Sequence, residues 1–132
     1  MVSAPPLEDI VKFQTELIAE NLPVAYALAG NRVVGWCDIS RSKNPRLCHR
    51  GGLGMGVHAD YHGQGIGTKL LEHCLVQATA LGLEKIELQV YTENKAAIAL
   101  YKKLGFKEEG LLKKYRKLGD RYFDVLSMAK FI

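Results

Sequence analysis

From Ile66 onward the apolar residues Leu70, Leu71, Cys74, Leu75, Ala78 and Leu81 recur at steps of about three and four, and Gly82 stops the pattern. Such spacing lays one apolar stripe along an α-helix, and a glycine after the last periodic residue is a common helix stop. The segments on either side carry the other period. Gly52–His58 places Leu53, Met55 and Val57 on one face, and Ile86–Tyr91 alternates Ile, Leu and Val against Glu87, Gln89 and Tyr91, as strands between two environments do. A strand, a helix and a second strand in this order predict a parallel crossover. The chain is therefore committed to a sheet with a helix packed on it.

The remaining segments extend that sheet. Leu7, Ile10, Val11, Leu17 and Ile18 fall at helical intervals up to Leu22-Pro23, which predicts a first helix over 7–22. Val24–Leu28 and Arg32–Ile39 are rich in strand formers and are joined by Ala29-Gly30-Asn31, so they predict a hairpin. Ser40–Gly51 is polar, with Pro45 and three arginines, and reads as a loop. Asn94 is a suitable N-cap for a helix with Ala97, Leu100, Tyr101 and Leu104 on one face and Gly105 at its end. Leu111–Lys117 and Tyr122–Ile132 flank the turn sequence Leu118-Gly119-Asp120-Arg121 and predict a closing hairpin. The order α-β-β-β-α-β-α-β-β gives an α/β (α+β) fold, a mixed and mostly antiparallel central sheet with helices on both faces. At 132 residues, 48% of them apolar, the chain suits one domain over 1–132.

Composition narrows the functional classes. No apolar run approaches the roughly 18 to 20 residues of a membrane-spanning helix, and the start MVSAPPLEDIVKF lacks the pattern of a secretory signal. Cys37, Cys48 and Cys74 form no CxxC pair, so neither a disulfide framework nor a zinc knuckle is indicated. A reducing cytoplasm is the expected location. Residues 1–94 hold 8 basic and 10 acidic side chains against 10 and 4 in residues 95–132, so the net charge of +4 is −2 plus +6. A basic C-terminal part suits a phosphate-bearing partner without saying whether that is a coenzyme or a nucleic acid.

Gly63, Gly65 and Gly67 stand between the end of one strand and the start of the long helix. Glycines remove Cβ atoms that would block close approach and permit angles that turn successive N–H groups toward one anion. The helix N-terminus adds about half a positive charge, so a diphosphate is the natural guest. Two phosphate loops are excluded by spacing. Gly67-Thr68-Lys69 reverses the last two residues of the Walker loop, and Gly-x-Gly-x-Gly in mid-domain is not the dinucleotide fingerprint.

Val57–Leu71 resembles the coenzyme loop of the GNAT superfamily of acyl-CoA-dependent N-acyltransferases. His62-Gly63-Gln64-Gly65-Ile66-Gly67 follows that family's Arg/Gln-x-x-Gly-x-Gly/Ala pattern, except that His62 holds the place of Arg or Gln. Glu93–Phe106 resembles its Asn-x-x-Ala-x-x-x-Tyr-x-x-x-Gly-Phe helix, and Asp124–Lys130 its closing strand. The likeness covers about residues 23–132 and implies that the family's usual first strand and first helix are missing. An exposed sheet edge would follow, and a homodimer that covers it is one expectation.

The resemblance implies acetyl-CoA as cosubstrate and direct attack by a primary amine, on a small molecule or a peptide. It implies that Met55, Gly56 and Val57 offer backbone groups to the pantetheine and thioester, with Gly54 and Gly56 leaving room. One well-placed donor is worth about 3 kcal/mol in such a transition state. Gly63, Gln64, Gly65, Ile66, Gly67 and Thr68 would hold the pyrophosphate, with Lys69 or Lys103 near the ribose phosphate. Asn94 and Ala97 would lie along the pantetheine arm. Tyr101, which by its position beside Leu104 reads as a core residue, becomes by resemblance the acid that protonates the departing thiolate.

The general base is open. The places where many family members carry a carboxylate hold Gly52 and Gln89, leaving a water chain, Asp38, His49 or Glu87. A coenzyme-binding module with slight activity is the alternative reading. His58 and His62 lie on a loop, where a four-residue spacing gives no common face, so no metal is expected. The run Lys113-Lys114-Tyr115-Arg116-Lys117 has the composition of an RNA contact, but a basic hairpin beside a phosphate-rich coenzyme is the simpler account, and neither a nucleic acid nor a membrane is an expected partner.

Overall fold

The computed structural model describes residues 14–132. Of the first predicted helix, residues 14–19 are helical (α1), and the part before Gln14 lies outside the described residues. Six strands follow, β1 (Val24–Ala29), β2 (Arg32–Arg41), β3 (Arg50–Val57), β4 (Lys85–Tyr91), β5 (Lys107–Leu118) and β6 (Arg121–Phe131), with α2 (Ile66–Ala80) before β4 and α3 (Lys95–Lys103) after it. They form one sheet in the order β1-β2-β3-β4-β6-β5. Only β3 and β4 run parallel, joined by α2, and every other neighbouring pair is antiparallel.

The element order matches the sequence reading, and the boundaries move where register outweighs local composition. β2 runs on to Arg41 because Ser40 and Arg41 pair with Gly52 and Gly51, which shortens the loop expected over 40–51. β5 starts at Lys107 rather than Leu111, since Lys107 and Glu108 pair with Ala129 and Met128. The polar residues 107–110 gave no alternating signal, yet a neighbouring strand supplies their hydrogen bonds. Bulges between Glu108 and Gly110 and between Leu112 and Arg116 let this long strand follow β6.

Strand alternation decides what each sheet face carries. Cys37 and Ile39 of β2, Leu53, Met55 and Val57 of β3, and Ile86, Leu88 and Val90 of β4 share the face on which α2 lays Leu70, Leu71, Cys74, Leu75 and Ala78. α3 adds Tyr101 to the same cluster. Cys37, Leu71, Cys74, Ala78 and Ile86 are wholly inaccessible, and fully burying one leucine contributes roughly 1.5 to 3 kcal/mol. α1 touches the opposite face, where Gln14 reaches Asp38 of β2. The sheet is thus covered from both sides, as the pattern predicts.

One irregularity opens the structure. β3 and β4 pair only where Arg50, Gly51 and Gly52 meet Lys85, Ile86 and Glu87, although β3 continues to Val57 and β4 to Tyr91. Beyond Gly52 the strands part. Backbone groups on the free lengths then lack the ladder partners that buried strands normally have.

Candidate active site

The mouth of that gap is a cavity of about 390 Å³, within the usual range of small-ligand sites. Met55, Gly56 and Val57 form one wall, the loop and the first turn of α2 a second, and Asn94, Ala96, Ala97, Leu100 and Tyr101 of α3 a third. Eleven of the fifteen residues singled out from the sequence for the coenzyme and the chemistry therefore lie together, although they come from three separate parts of the chain. Gln64 does not line the cavity, and Lys69 lines a separate groove against β1. Tyr61, Ala96 and Leu100 line it without having been singled out. Leu100 carried a signal, since it shares the apolar face of α3.

The glycines of the loop serve two different needs. Gly63 and Gly65 have φ of 76° and 77°, left-handed values that favour glycine, and a Cβ at either would meet nothing within 4 Å. Gly67 is instead a matter of space, because its Cβ would lie 3.1 Å from Leu100 Cδ2 of α3 and 3.4 Å from Met55 Cε. His62, the departure from the motif, bonds through Nε2 to the Val57 carbonyl oxygen at 2.7 Å and so ties the loop back to the end of β3. His58 is engaged elsewhere, 3.2 Å from Arg32 through Nε2 while its Nδ1 accepts from the Asp60 N–H. The two imidazoles thus bind different partners.

The two helix ends at the cavity differ. Gly65 is the N-cap of α2 and supplies no side-chain acceptor, and the first turn holds no acid. The N–H groups opening that helix and the positive end of its dipole thus face the cavity without an internal anion. α3 is capped by Asn94, whose Oδ1 accepts from the Ala97 N–H at 3.1 Å. Asn94 therefore has a structural role at the cavity wall.

Tyr101 is 8% exposed, with its ring against Phe106. Burial and the nearby Cys37 thiol push its hydroxyl up to about 12, so it stays protonated throughout the neutral range. It is a proton donor held at the cavity wall. Across the sheet, the space over Gly54 and Gly56 is occupied. A Cβ on Gly54 would meet Asp38 Oδ1 at 3.1 Å and Trp36 at 3.3 Å, and one on Gly56 would meet Trp36 Nε1 at 3.1 Å. These glycines admit the side chains of β2 on one face, and Gly56 borders the cavity besides.

Several cations of the basic hairpin are engaged by neighbouring side chains. Arg116 donates to Tyr91 Oη at 2.6 Å, Arg121 makes two bonds to the Glu93 carboxylate, and Lys114 and Lys117 stand over the Tyr122 ring. Cys37, Cys48 and Cys74 are unpaired thiols. Among the described residues no helix is long and apolar enough to cross a membrane.

A family model described as the acetyltransferase (GNAT) family matches residues 3–106. The chain is 33% identical over 99 residues to the L-amino acid N-acetyltransferase AaaT of Escherichia coli, covering 74% of this chain and 61% of that protein. Across the first curated relatives it matches, it spans about half to two thirds of their length. Among solved structures, a ribosomal-protein-alanine N-acetyltransferase from Brucella melitensis superposes with a TM-score of 0.88 at 26% identity, covering 98% of this chain and 81% of that one. A putative acetyltransferase from Salmonella typhimurium, solved with acetyl-CoA, has the same fold, with a TM-score of 0.88 at 18% identity and coverage of 98% and 75%.

Proposed function

This chain belongs to the acetyltransferase (GNAT) family, and from that premise we propose that it transfers the acetyl group of acetyl-CoA to a primary amine. One observation carries the proposal: a single cavity joins an uncapped helix N-terminus to a protonated tyrosine hydroxyl. The coenzyme's pyrophosphate lies on the backbone of Gly63–Thr68, with the helix dipole behind it. The pantetheine arm runs between β3 and the start of α3, past Asn94 and Ala97. Met55 to Val57, free of ladder partners from β4, offer backbone groups to the thioester. When the amine attacks the thioester carbon, the C–N bond forms and the C–S bond breaks. The Tyr101 proton passes to the departing sulfur.

The relatives acetylate an amino acid, or a ribosomal protein's alanine, by their names, so an amino group of that kind is the substrate class of this reading. One catalytic domain in the cytoplasm completes it, since three unpaired thiols suit a reducing compartment. β1 borders the described sheet on one side and exposes Tyr26 and Leu28, and a homodimer paired there would cover them; sedimentation across a concentration series tests it.

The activity is tested by incubating the protein with acetyl-CoA and a panel of amino acids and peptides and following thiol release, with Tyr101→Phe as control. Release that depends on the amine and is lost in the variant is the expected result. Tight coenzyme binding with no release above background overturns the enzyme reading and leaves a coenzyme-binding module.

A further inference from the structure

Only two polar residues are buried among those described, Gln14 and Asp38, and they touch each other. Gln14 Nε2 donates to Asp38 Oδ2 at 3.2 Å, and the Tyr26 hydroxyl donates to Gln14 Oε1 at 2.6 Å. This chain of bonds fixes the carboxyl group through one oxygen. The other oxygen, Oδ1, stands over Gly54, 3.1 Å from where a Cβ would be. No described cation pairs with it. A carboxylate held at 3% exposure without a cation costs stability, and such a cost is characteristic of functional sites.

The position gives the cost a purpose. Asp38 lies opposite Gly54 and Trp36 opposite Gly56, so both rise from the sheet face away from α2. Gly54 is one side-chain repeat along β3 from Gly56, which borders the coenzyme cavity, a separation of about 7 Å along a strand. Because β3 and β4 have parted by this point, a thioester lying against Met55 and Gly56 is open to that face through the gap. On that face the Trp36 indole lies over Gly54 and Gly56, and Asp38 Oδ1 stands beside it over Gly54.

The other candidate bases are placed differently. Glu87 is 3.3 Å from Lys85 and 3.7 Å from Arg50, at the closed end of the gap. His49 is exposed, before the start of β3. Gln89 cannot take a proton.

We propose that Asp38 is the group that accepts the proton from the attacking nitrogen, directly or through one water. This rests on the acetyl-transfer reading. A neutral amine attacks, and the nitrogen becomes strongly acidic as its bond to carbon forms. Its surplus proton moves to Asp38 as the Tyr101 proton moves to sulfur, and solvent then exchanges the two, leaving amide and free thiol with nothing gained or lost.

Among the described residues, Gln14 from α1, Tyr26 from β1 and Trp36 on β2 itself face Asp38, and none of these three is charged at neutral pH; the Cys37 and Cys74 thiols lie on the other face of the sheet. Burial raises the Asp38 carboxyl above its ordinary value, opposed by the Gln14 bond. For an acceptor amine that is neutral over the whole range, kcat/KM should fall as pH drops through a midpoint above that of a free aspartate.

The test uses the full chain. Asp38→Asn keeps an acceptor for Gln14 and should bind acetyl-CoA as the wild type does, with kcat/KM lower by at least a hundredfold and the acidic limb gone. Asp38→Ala should recover part of its rate when formate enters the space left by the carboxyl. If Asp38→Asn transfers at the wild-type rate, or the wild-type profile with a neutral amine is flat down to the range of a free aspartate, the assignment fails while acetyl transfer stands. If the wild type binds coenzyme and no amine releases thiol, both fail. The profile and the formate rescue decide the matter even where Asp38→Asn folds poorly.

Discussion

Two helices open onto the same cavity, and their N-termini are finished in opposite ways. α3 satisfies itself, because Asn94 caps the Ala97 N–H. α2 begins at a left-handed glycine, with no side-chain cap and no acid in its first turn. A capped terminus stabilises its own helix by about 1 kcal/mol; an open one keeps its donors for something else. The difference teaches that the site was built by withholding a cap, with glycine holding the loop shape that a capping residue would otherwise help set.

That comparison can be sharpened or broken by mutation. Tyr101, about two turns along α3 from its capped end, binds nothing charged in this scheme, so Tyr101→Phe should cut thiol release by about a hundredfold or more while isothermal titration gives wild-type coenzyme affinity. An equal loss of affinity would mean that the tyrosine holds the ligand rather than donating a proton. Gly65→Asp gives α2 an anion of its own. Aspartate tolerates left-handed φ better than most residues, so the fold should survive with a penalty of about 1 kcal/mol, whereas coenzyme affinity falls at least tenfold. Unchanged affinity would break the comparison outright.

Asn94→Ala uncaps α3, and chemical denaturation should show a loss of about 1 kcal/mol with only a few-fold weaker coenzyme binding. A much larger binding loss would assign Asn94 chiefly to the ligand. The smallest effect belongs to Gly67→Ala. Its Cβ meets the flexible ends of Leu100 and Met55, which can give by a few tenths of an ångström, so affinity should change less than threefold. The tyrosine also predicts a pH signature. With its hydroxyl raised to about 12, Tyr101 stays protonated up to about pH 11, and its ionisation should produce no alkaline fall in kcat below about pH 10.

Asp38 shows the opposite sign. A carboxyl raised by burial holds its proton longer in the folded state, so folding is favoured below its midpoint and loses stability as pH rises through the window between the free and folded values. Asp38→Asn should therefore melt no lower than the wild type at neutral pH, and a clear drop would mark Asp38 as a structural element.

Local sequence set the periodic elements and pointed to most of the residues that line the cavity. Helical spacing from Ile66 to Leu81, strand alternation over 86–91, and the two glycine- and asparagine-marked helix starts are local properties, set by side-chain period and backbone permission within a few residues. His62 was visible as a departure, but its bond to the Val57 carbonyl needed the loop to fold back. Only the tertiary structure decided the other side. Asp38 reads as one acid in a β-former strand; register places it over Gly54, and α1 and β1 bring Gln14 and Tyr26 to it. Strand pairing likewise ended at Gly52 and Glu87, leaving the gap. Burial and pairing join residues far apart in the chain, and no local pattern records which of them will meet.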